Sequence, residues 1–530
     1  MEVEVGELND ATALARATIR QLIELGVAHF VLSPGSRNAP LSIALYEANE
    51  RGLIELHVKI DERGAAYFAL GIAKATKNYA AIICTSGTAA ANYHPAALEA
   101  LHANNKLLII TADRPERLRK TGANQTTNQV DIFPGIRTHD ITFPTPVTLG
   151  SGPVHLNIQF DEPLLKDDKT DWLTGLKVAE IKSTNEKTTK RIRLSGNGLV
   201  VIGHDQGGLE GSEVLEFAEK LGLPVIAENP ISYPDAIAHS SIFLADEKVR
   251  EFLKPDFLFV IGRTTLSRSI NTFIGSAART YVVDARIQTI DTARSGTEIF
   301  FELPTVELES LSTSWVSDWN NVGAIAHNEI VNNDSWSEST AVASIAGLIP
   351  TQSALFIGSS RPVRDVEAFA SPRSGVNVFA NRGLAGIDGN ISTTFGIALQ
   401  FENTYAILGD LTFLHDLTAL LSPPNVNLTI FVIDNNGGGI FSTLPQAGVV
   451  GFETIFGTPQ NKDLAKLIAG FGIQTDRVKT VSDLERIIAH GQNGIKVVIV
   501  EVPDREKMAS ALREIYARVS SAVRIGVNLA

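Results

Sequence analysis

The chain has 530 residues, 44% of them apolar and 20% charged, and a net charge of −13, which places it among multi-domain globular proteins rather than disordered or fibrous ones. No run of 18 apolar residues occurs, and the acidic start "MEVEVGELND" lacks the basic and apolar build of a signal peptide, so a cytoplasmic protein without a membrane span is expected. One cysteine excludes an internal disulfide framework, and the acidic balance argues against a nucleic-acid surface, although arginines in particular loops can still bind anions.

Strands and helices alternate along most of the chain, the pattern of an α/β protein with mostly parallel sheets flanked by helices. A helix pattern, "ATALARATIRQLIEL", precedes "HFVLSPGSRNAPL", a strand running into a loop. Next come the helix "ERGAAYFALGIAKAT", the strand "YAAIICT", a Gly-Thr turn, the helix "AAANYHPAALEAL" and the strand "KLLIITA". Cys84 falls in the buried-strand pattern "AIICTSG" and reads as a packed, inert thiol. Residues 181–195 are polar and charged, and read as a linker. A middle α/β region over about 196–330 holds the strands "GLVVIG", "LPVIAE", "FLFVIG" and "TYVVDA". Its "VVIGHDQGG" lacks the G-x-G-x-x-G and acidic partner of a dinucleotide site, so a structural role is expected there. The Asn/Ser-rich stretch 318–340 reads as a second connection. Three domains result: 1–180, a central 181–340 with its linkers, and 341–530.

The third region repeats the layout of the first. "LFIGSSRPVRD" answers "FVLSPGSRNAP", "TFGIALQ" answers "ALGIAKA", and "YAILGD" with "LTIFVIDNN" answers "AIICTSG" with "LLIITAD". The spacing from Gly87 to Asp113 is 26 residues, and Gly409 to Asn435 spans the same 26. In "AILGDLTFLHDLTALL…LTIFVIDNNGGGIF", Gly409-Asp410 ends one strand and Asn435 the next, with a helix between. A right-handed βαβ unit opens both ends on one sheet edge, where ligands of α/β proteins bind. A carboxylate, an amide oxygen and an exposed carbonyl are the hard donors that Mg²⁺ prefers. Three glycines at a strand end leave room for a diphosphate to approach the backbone.

This spacing resembles the thiamine diphosphate motif of the decarboxylase and acetolactate synthase superfamily. The resemblance implies a thiamine diphosphate-binding fold with pyrimidine-binding, central and diphosphate-binding domains. It implies that Asp410, the Asn435 side chain and the Gly437 carbonyl hold Mg²⁺ (or Mn²⁺) and, through it, the diphosphate. Asn436 is the alternative register; Asn435 is preferred because the following Gly-Ile-Phe and the internal repeat align with it. Further cofactor contacts implied are Gly87, Ile387, Gly409, Leu411, Thr412, Gly438, Ile440 and Phe441. Glu62 matches the activating glutamate that shares a proton with the aminopyrimidine, where shielding from water strengthens the partnership. Read alone, Asp61 and Glu62 favour a helix N-terminus through its dipole. The resemblance places Glu62 of one subunit against the diphosphate site of another, so a homodimer or homotetramer is implied.

"SPGSRNAPL" (33–41), "DERG" (61–64), "TSGTAAAN" (85–92), "TADRPERL" (111–118), "GANQT" (122–126), "NRGLAGIDGNIST" (381–393), "GDLTFLHDL" (409–417) and "NNGGGIFSTLPQ" (435–446) narrow the match. Together they are similar to the 2-succinyl-5-enolpyruvyl-6-hydroxy-3-cyclohexene-1-carboxylate synthase family of menaquinone biosynthesis. That resemblance implies a carboligase that decarboxylates 2-oxoglutarate and adds the succinyl semialdehyde carbanion to isochorismate. A related 2-oxo acid decarboxylase or acetolactate-type synthase is the alternative. Both implied substrates are dicarboxylates, and arginine forks suit carboxylates better than lysine point charges. Carried over by motif position are Ser36, Arg37, Arg114, Asn124 and Gln125 from the first domain and Ser360, Arg364 and Arg382 from the third. Of these Arg37, Gln125, Arg364 and Arg382 join Glu62 as catalytic candidates, and Ile440 and Phe441 pack against cofactor and substrate. Arg268, in "IGRTTLSRSI", stands where a basic residue, more often lysine, is expected. Arg119 and Lys120 have no motif support and read as surface, while His94, His155 and His415 read as packing residues.

Overall fold

The computed structural model describes residues 11–166, 170–178, 190–286, 296–333 and 335–529. The acidic start and most of the 181–195 linker lie outside the described residues, and the end of that linker, Arg191–Leu194, forms a strand. No helix among the described residues is long and apolar enough to cross a membrane. By contact, residues of 1–184, 381–402 and 412–426 form one compact unit, and those of 185–380, 403–411 and 427–530 the other.

The first unit is built on one parallel sheet. Its strands are β1 (His29–Leu32), β2 (Glu55–Val58), β3 (Ala80–Cys84), β4 (Leu107–Asp113), β5 (Arg137–Ile141) and β6 (Val154–Gln159), ordered β2-β1-β3-β4-β6-β5. Every residue of β3 and β4 is buried, as continuous apolar runs require in a sheet covered on both faces. The chain runs from β1 out to β2 and returns past β1 to β3. The crevice at the carboxyl ends of β1 and β3 is therefore a topological switch point, where ligands bind in such sheets. The predicted helix "AAANYHPAALEAL" is broken into Thr88–Asn92 and His94–Ala103, because Pro95 suits a first helical turn but not a helix interior.

The second unit holds two large parallel sheets. The middle region supplies β7 (Arg191–Leu194), β8 (Gly198–Ile202), β9 (Val225–Ala227), β10 (Phe257–Ile261), β11 (Arg279–Val283), β12 (Glu298–Phe300) and β13 (Thr305–Leu308). They form a sheet of order β12-β11-β10-β8-β9 and a two-stranded ribbon β13-β7. The expected connection over 318–340 is instead mostly helix, Trp315–Val331 followed by Glu338–Leu348. Trp315, Trp319, Val322 and Ala326 are buried on one stripe of the first of these, and that stripe outweighs the low helix propensity of its Asn, Ser and Asp residues.

The third region supplies β14 (Ala354–Ile357), β15 (Asn377–Phe379), β16 (Thr404–Gly409), β17 (Leu428–Asp434), β18 (Gln474–Val478) and β19 (Ile495–Glu501), ordered β15-β14-β16-β17-β19-β18. This is the strand order of the first sheet again, so the repeat read from motifs is a repeat of topology.

Candidate functional site

In the first unit the loops at the carboxyl ends of β1, β3 and β4 carry the predicted polar residues. Arg114 Nη1 donates to Ser86 Oγ at 2.6 Å and to the Gln125 carbonyl at 2.8 Å. Gln125 adopts a left-handed backbone (φ 53°) against Gly87, whose own φ is 85°. The Gly87 N–H donates to Gln129 Oε1 at 2.9 Å, and Gln129 is fully buried. Arg37 reaches the Phe160 carbonyl at 3.1 Å and Glu162 at 3.2 Å. Burial and the charge of Arg37 both lower the Arg114 pKa, so two guanidiniums share one field. Ser36 and Asn124 are exposed on the same loops. An arginine pair beside a Ser-Gly turn is an anion-binding arrangement.

Glu62 opens the helix Glu62–Thr76, but Asp61 is its cap: its carboxylate accepts the Arg63 and Gly64 N–H groups at 3.1 and 3.4 Å. The capping role being taken, the half-buried Glu62 carboxylate is not committed to the helix terminus. Fully buried Cys84 and Tyr93 lie near enough to feel it: burial raises both groups, and the Glu62 charge adds to the rise. Cys84 is a packed strand thiol, as expected.

Arg382 is buried in the loop 381–389. A carboxylate that sequence reasoning missed holds this loop: Glu99, itself buried, accepts the Gly383 N–H at 2.8 Å and the Leu384 N–H at 2.7 Å, with Lys74 3.7 Å away. The available signal was a lone Glu among alanines on the buried face of its helix. Ile387 is exposed on the same loop.

Arg119 departs from its surface reading. It donates to Asp113 at 3.1 Å and Asp140 at 3.0 Å, because the fully buried Asp113 carboxylate needs a cation. His155 is buried between Thr111 and Thr138, and burial pushes it down to about 3, which fits a packing role.

In the second unit Asp410, Asn435 and Gly437 converge where β16 and β17 end. Asp410 is 4% exposed, and its carboxylate accepts the N–H groups of Leu411 (2.8 Å) and Gly437. Burial, with the Asp434 charge adding, pushes its carboxyl up to about 7. Asn435 Nδ2 donates to Glu338 at 3.4 Å, which turns Oδ1 the other way; that oxygen is buried and has no partner among the described residues. Asn436 points elsewhere: its carboxamide exchanges hydrogen bonds with Asn461 at 2.8 and 3.0 Å. The Gly437 carbonyl accepts the Gly439 N–H at 2.8 Å and keeps a second lone pair. A buried carboxylate with no ion pair among the described residues and an orphaned amide oxygen beside it fit a hard divalent ion such as Mg²⁺.

The glycine run is also required by the unit's own packing. A Cβ on Gly437 (φ 133°) overlaps the Gly457 carbonyl and the Arg505 guanidinium; one on Gly438 overlaps the Phe456 carbonyl; and one on Gly439 comes within 2.5 Å of Asn435 Nδ2. The clearance accommodates this unit's own chain.

Glu338 was also invisible in the sequence, falling within a stretch read as a connection. It is buried, and burial raises it to about 7 against the charge of Arg361, 3.9 Å away. Ser360 (φ 77°) precedes the helix Arg361–Phe369, and its carbonyl accepts Arg364 Nη1 at 2.7 Å. Arg268, Arg364 and Ile440 line one cavity of about 530 Å³, together with Arg361, Arg513 and Tyr516. Phe441 packs against Phe456, with ring centroids 5.5 Å apart.

Known proteins share this organisation. The family of "thiamine pyrophosphate enzyme, N-terminal TPP binding domain" matches residues 12–132, the "middle domain of thiamine pyrophosphate" 165–357, and the "C-terminal TPP binding domain" 361–502. A 2-succinyl-5-enolpyruvyl-6-hydroxy-3-cyclohexene-1-carboxylate synthase of Thermobifida fusca is 34% identical, covering 98% of this chain and all of its own length. A relative of the same name from Nocardioides sp. is 35% identical over 95% of this chain and 97% of its own. Among solved structures, benzoylformate decarboxylase from Polynucleobacter necessarius has the same fold, with a TM-score of 0.67, 15% identity and coverage of 93% and 99% of the two chains.

Proposed function

We propose a specific reaction for this chain, which belongs to the thiamine pyrophosphate enzyme family. It decarboxylates 2-oxoglutarate and joins the four-carbon fragment to isochorismate, giving 2-succinyl-5-enolpyruvyl-6-hydroxy-3-cyclohexene-1-carboxylate in menaquinone biosynthesis. The observation that carries this reading is end-to-end likeness, at 34% and 35% identity, to relatives of that name. The arginine-lined cavity and the Arg37–Arg114 pair support it, since dicarboxylate substrates need paired guanidiniums.

Bound thiamine diphosphate supplies the nucleophilic carbon and electron sink that decarboxylation of a 2-oxo acid needs. Asp410, Asn435 Oδ1 and the Gly437 carbonyl would hold Mg²⁺, whose charge restores Asp410 to its ionised form. Glu62 would hold a proton at its carboxylate against the aminopyrimidine nitrogen. Arg364, Arg268, Arg37 and Arg114 would bind substrate carboxylates, Arg382 and Gln125 would orient them, and Ile440 would exclude water from the reacting centre. The reading includes a cytoplasmic homo-oligomer in which Glu62 of one copy completes the metal site of another. Mixing inactive Glu62→Gln and Asp410→Asn chains under exchange conditions then restores part of the turnover; no recovery refutes the shared site.

The deciding experiment follows the loss of isochorismate absorbance. Consumption is expected only with 2-oxoglutarate, Mg²⁺ and thiamine diphosphate all present. Turnover of pyruvate alone, or no loss of isochorismate in the full mixture, overturns the proposal.

A further inference from the structure

We propose that His29, Glu55 and His57 form a Zn²⁺ site at the open edge of the first sheet, separate from the oxygen-donor site at Asp410. β1 and β2 pair with His29 opposite Glu55 and Val31 opposite His57, so alternation puts all three side chains on one face. The Glu55 carboxylate faces both rings, with Oε2 3.4 Å from His29 Nδ1 and 4.0 Å from His57 Nε2. The three ligand atoms fall within 4.8 Å of one another. Zn²⁺ bonds of about 2.0–2.1 Å place tetrahedral ligand atoms roughly 3.4 Å apart, so a small closure suffices. Glu55, whose side chain is 66% exposed, can shift toward both nitrogens, and the rest of the closure is between the two rings, which are 12% and 16% exposed.

The ring nitrogens themselves point to a ligand. His29 Nδ1 and His57 Nε2 are both buried, and neither has a hydrogen-bond partner among the described residues. Buried nitrogens of this kind are ordinarily satisfied. The rings are near-parallel, at 15° and 5.9 Å between centroids, and Phe68 packs edge-to-face with His57, 5.2 Å between centroids. Lys59 opposes the site by its charge, its ammonium bonded to the Ser422 carbonyl and lying over the Phe68 face. Two imidazoles and one carboxylate suit Zn²⁺, and leave a fourth position for water, whereas Mg²⁺ takes oxygen donors. Because β2 leads through Lys59 and Ile60 to Asp61 and Glu62, an ion here ties the strand that delivers Glu62 to its neighbour.

The test is calorimetric titration of ZnCl₂ into the chelator-stripped full chain in excess Mg²⁺ and thiamine diphosphate. One Zn²⁺ per chain is expected, with a raised melting temperature. Glu55→Gln and His57→Gln each weaken binding tenfold or more, since even residues that only support a ligand cost about 10–100-fold. Asp410→Asn leaves it unchanged. Absence of saturable uptake, or uptake unaltered in Glu55→Gln, overturns the proposal; the exposed Glu55 variant decides the matter if His57→Gln does not fold.

Discussion

Gly439→Ala separates the metal-site reading from a merely structural account of the glycine run. The new methyl would lie 2.5 Å from Asn435 Nδ2 and 3.3 Å from its Cγ. Carbon–heavy-atom contacts relax to about 3.5 Å or more, so the Asn435 amide must retreat by roughly 1 Å. Mg²⁺ holds its ligands near 2.1 Å in a strict octahedron, and a shift of that size breaks the bond. Losing one neutral oxygen ligand weakens Mg²⁺ by about 10–100-fold, or roughly 1.4–2.7 kcal/mol. The fold should tolerate the change: Gly439 is outside the left-handed region, and the neighbour that yields is a side chain. The control is Gly437→Ala, where a methyl meets a backbone carbonyl and a guanidinium at a φ of 133°. Strain of about 1–2 kcal/mol and overpacking of about 1–3 kcal/mol add to roughly 2–5 kcal/mol of lost stability there. Urea unfolding measures the stabilities, and Mg²⁺ titration with thiamine diphosphate present, followed by tryptophan fluorescence, measures the ion. A folded Gly439→Ala chain that binds Mg²⁺ as tightly as the parent refutes Asn435 as a ligand.

Glu62→Gln is expected to cut turnover by at least about 100-fold while Mg²⁺ and cofactor titrations stay close to the parent; full activity sinks the assignment of the proton to Glu62. Arg364→Ala should raise KM for the 2-oxo acid by about 10–100-fold, the worth of a hydrogen bond to a charged group, and an unchanged KM removes it from the substrate site. Asp416 is buried and its carboxyl is raised to about 6, burial outweighing the Ser392 donors at 2.7 and 3.2 Å. Its stabilising contribution is full below the unfolded value near 4 and is lost as pH climbs through 6. Asp416→Asn should therefore gain roughly 3 kcal/mol over the parent at pH 8 relative to pH 4, by urea titration, and a parallel pH dependence in the two chains contradicts the shift. Glu99→Ala strands two N–H groups, at a cost of about 2–5 kcal/mol, and should speed amide exchange at Gly383 and Leu384; unaltered exchange there means that Glu99 does not hold the Arg382 loop.

What the sequence disclosed was mostly what its local physics controls. Parallel strands buried on both faces declare themselves as apolar runs, and their carboxyl ends as sudden Gly, Ser and Asp. The equal spacing of Gly87–Asp113 and Gly409–Asn435 thus marks the same pair of strands in two sheets of identical order. Local pattern failed over 318–331, where polar composition suggested a connection but a stripe of apolar residues beginning at Trp315 made a helix. It failed again for residues whose work is done at long range. Glu99 meets a loop 284 positions away and Glu338 meets Asn435 across 97, and neither carboxylate sits in any motif. The glycine run shows how the two kinds of information differ. Composition says that no side chain fits at 437–439, but only the fold identifies the occupants as Gly457, Phe456, Arg505 and the Asn435 amide. Those contacts fix the turn in a shape that donates the Gly437 N–H to Asp410, while the Glu338 bond turns Asn435 Oδ1 inward. Beyond the Gly437 carbonyl, the glycines therefore serve the proposed ion indirectly, by letting the protein close around Asp410 and Asn435, the two side chains that would hold it.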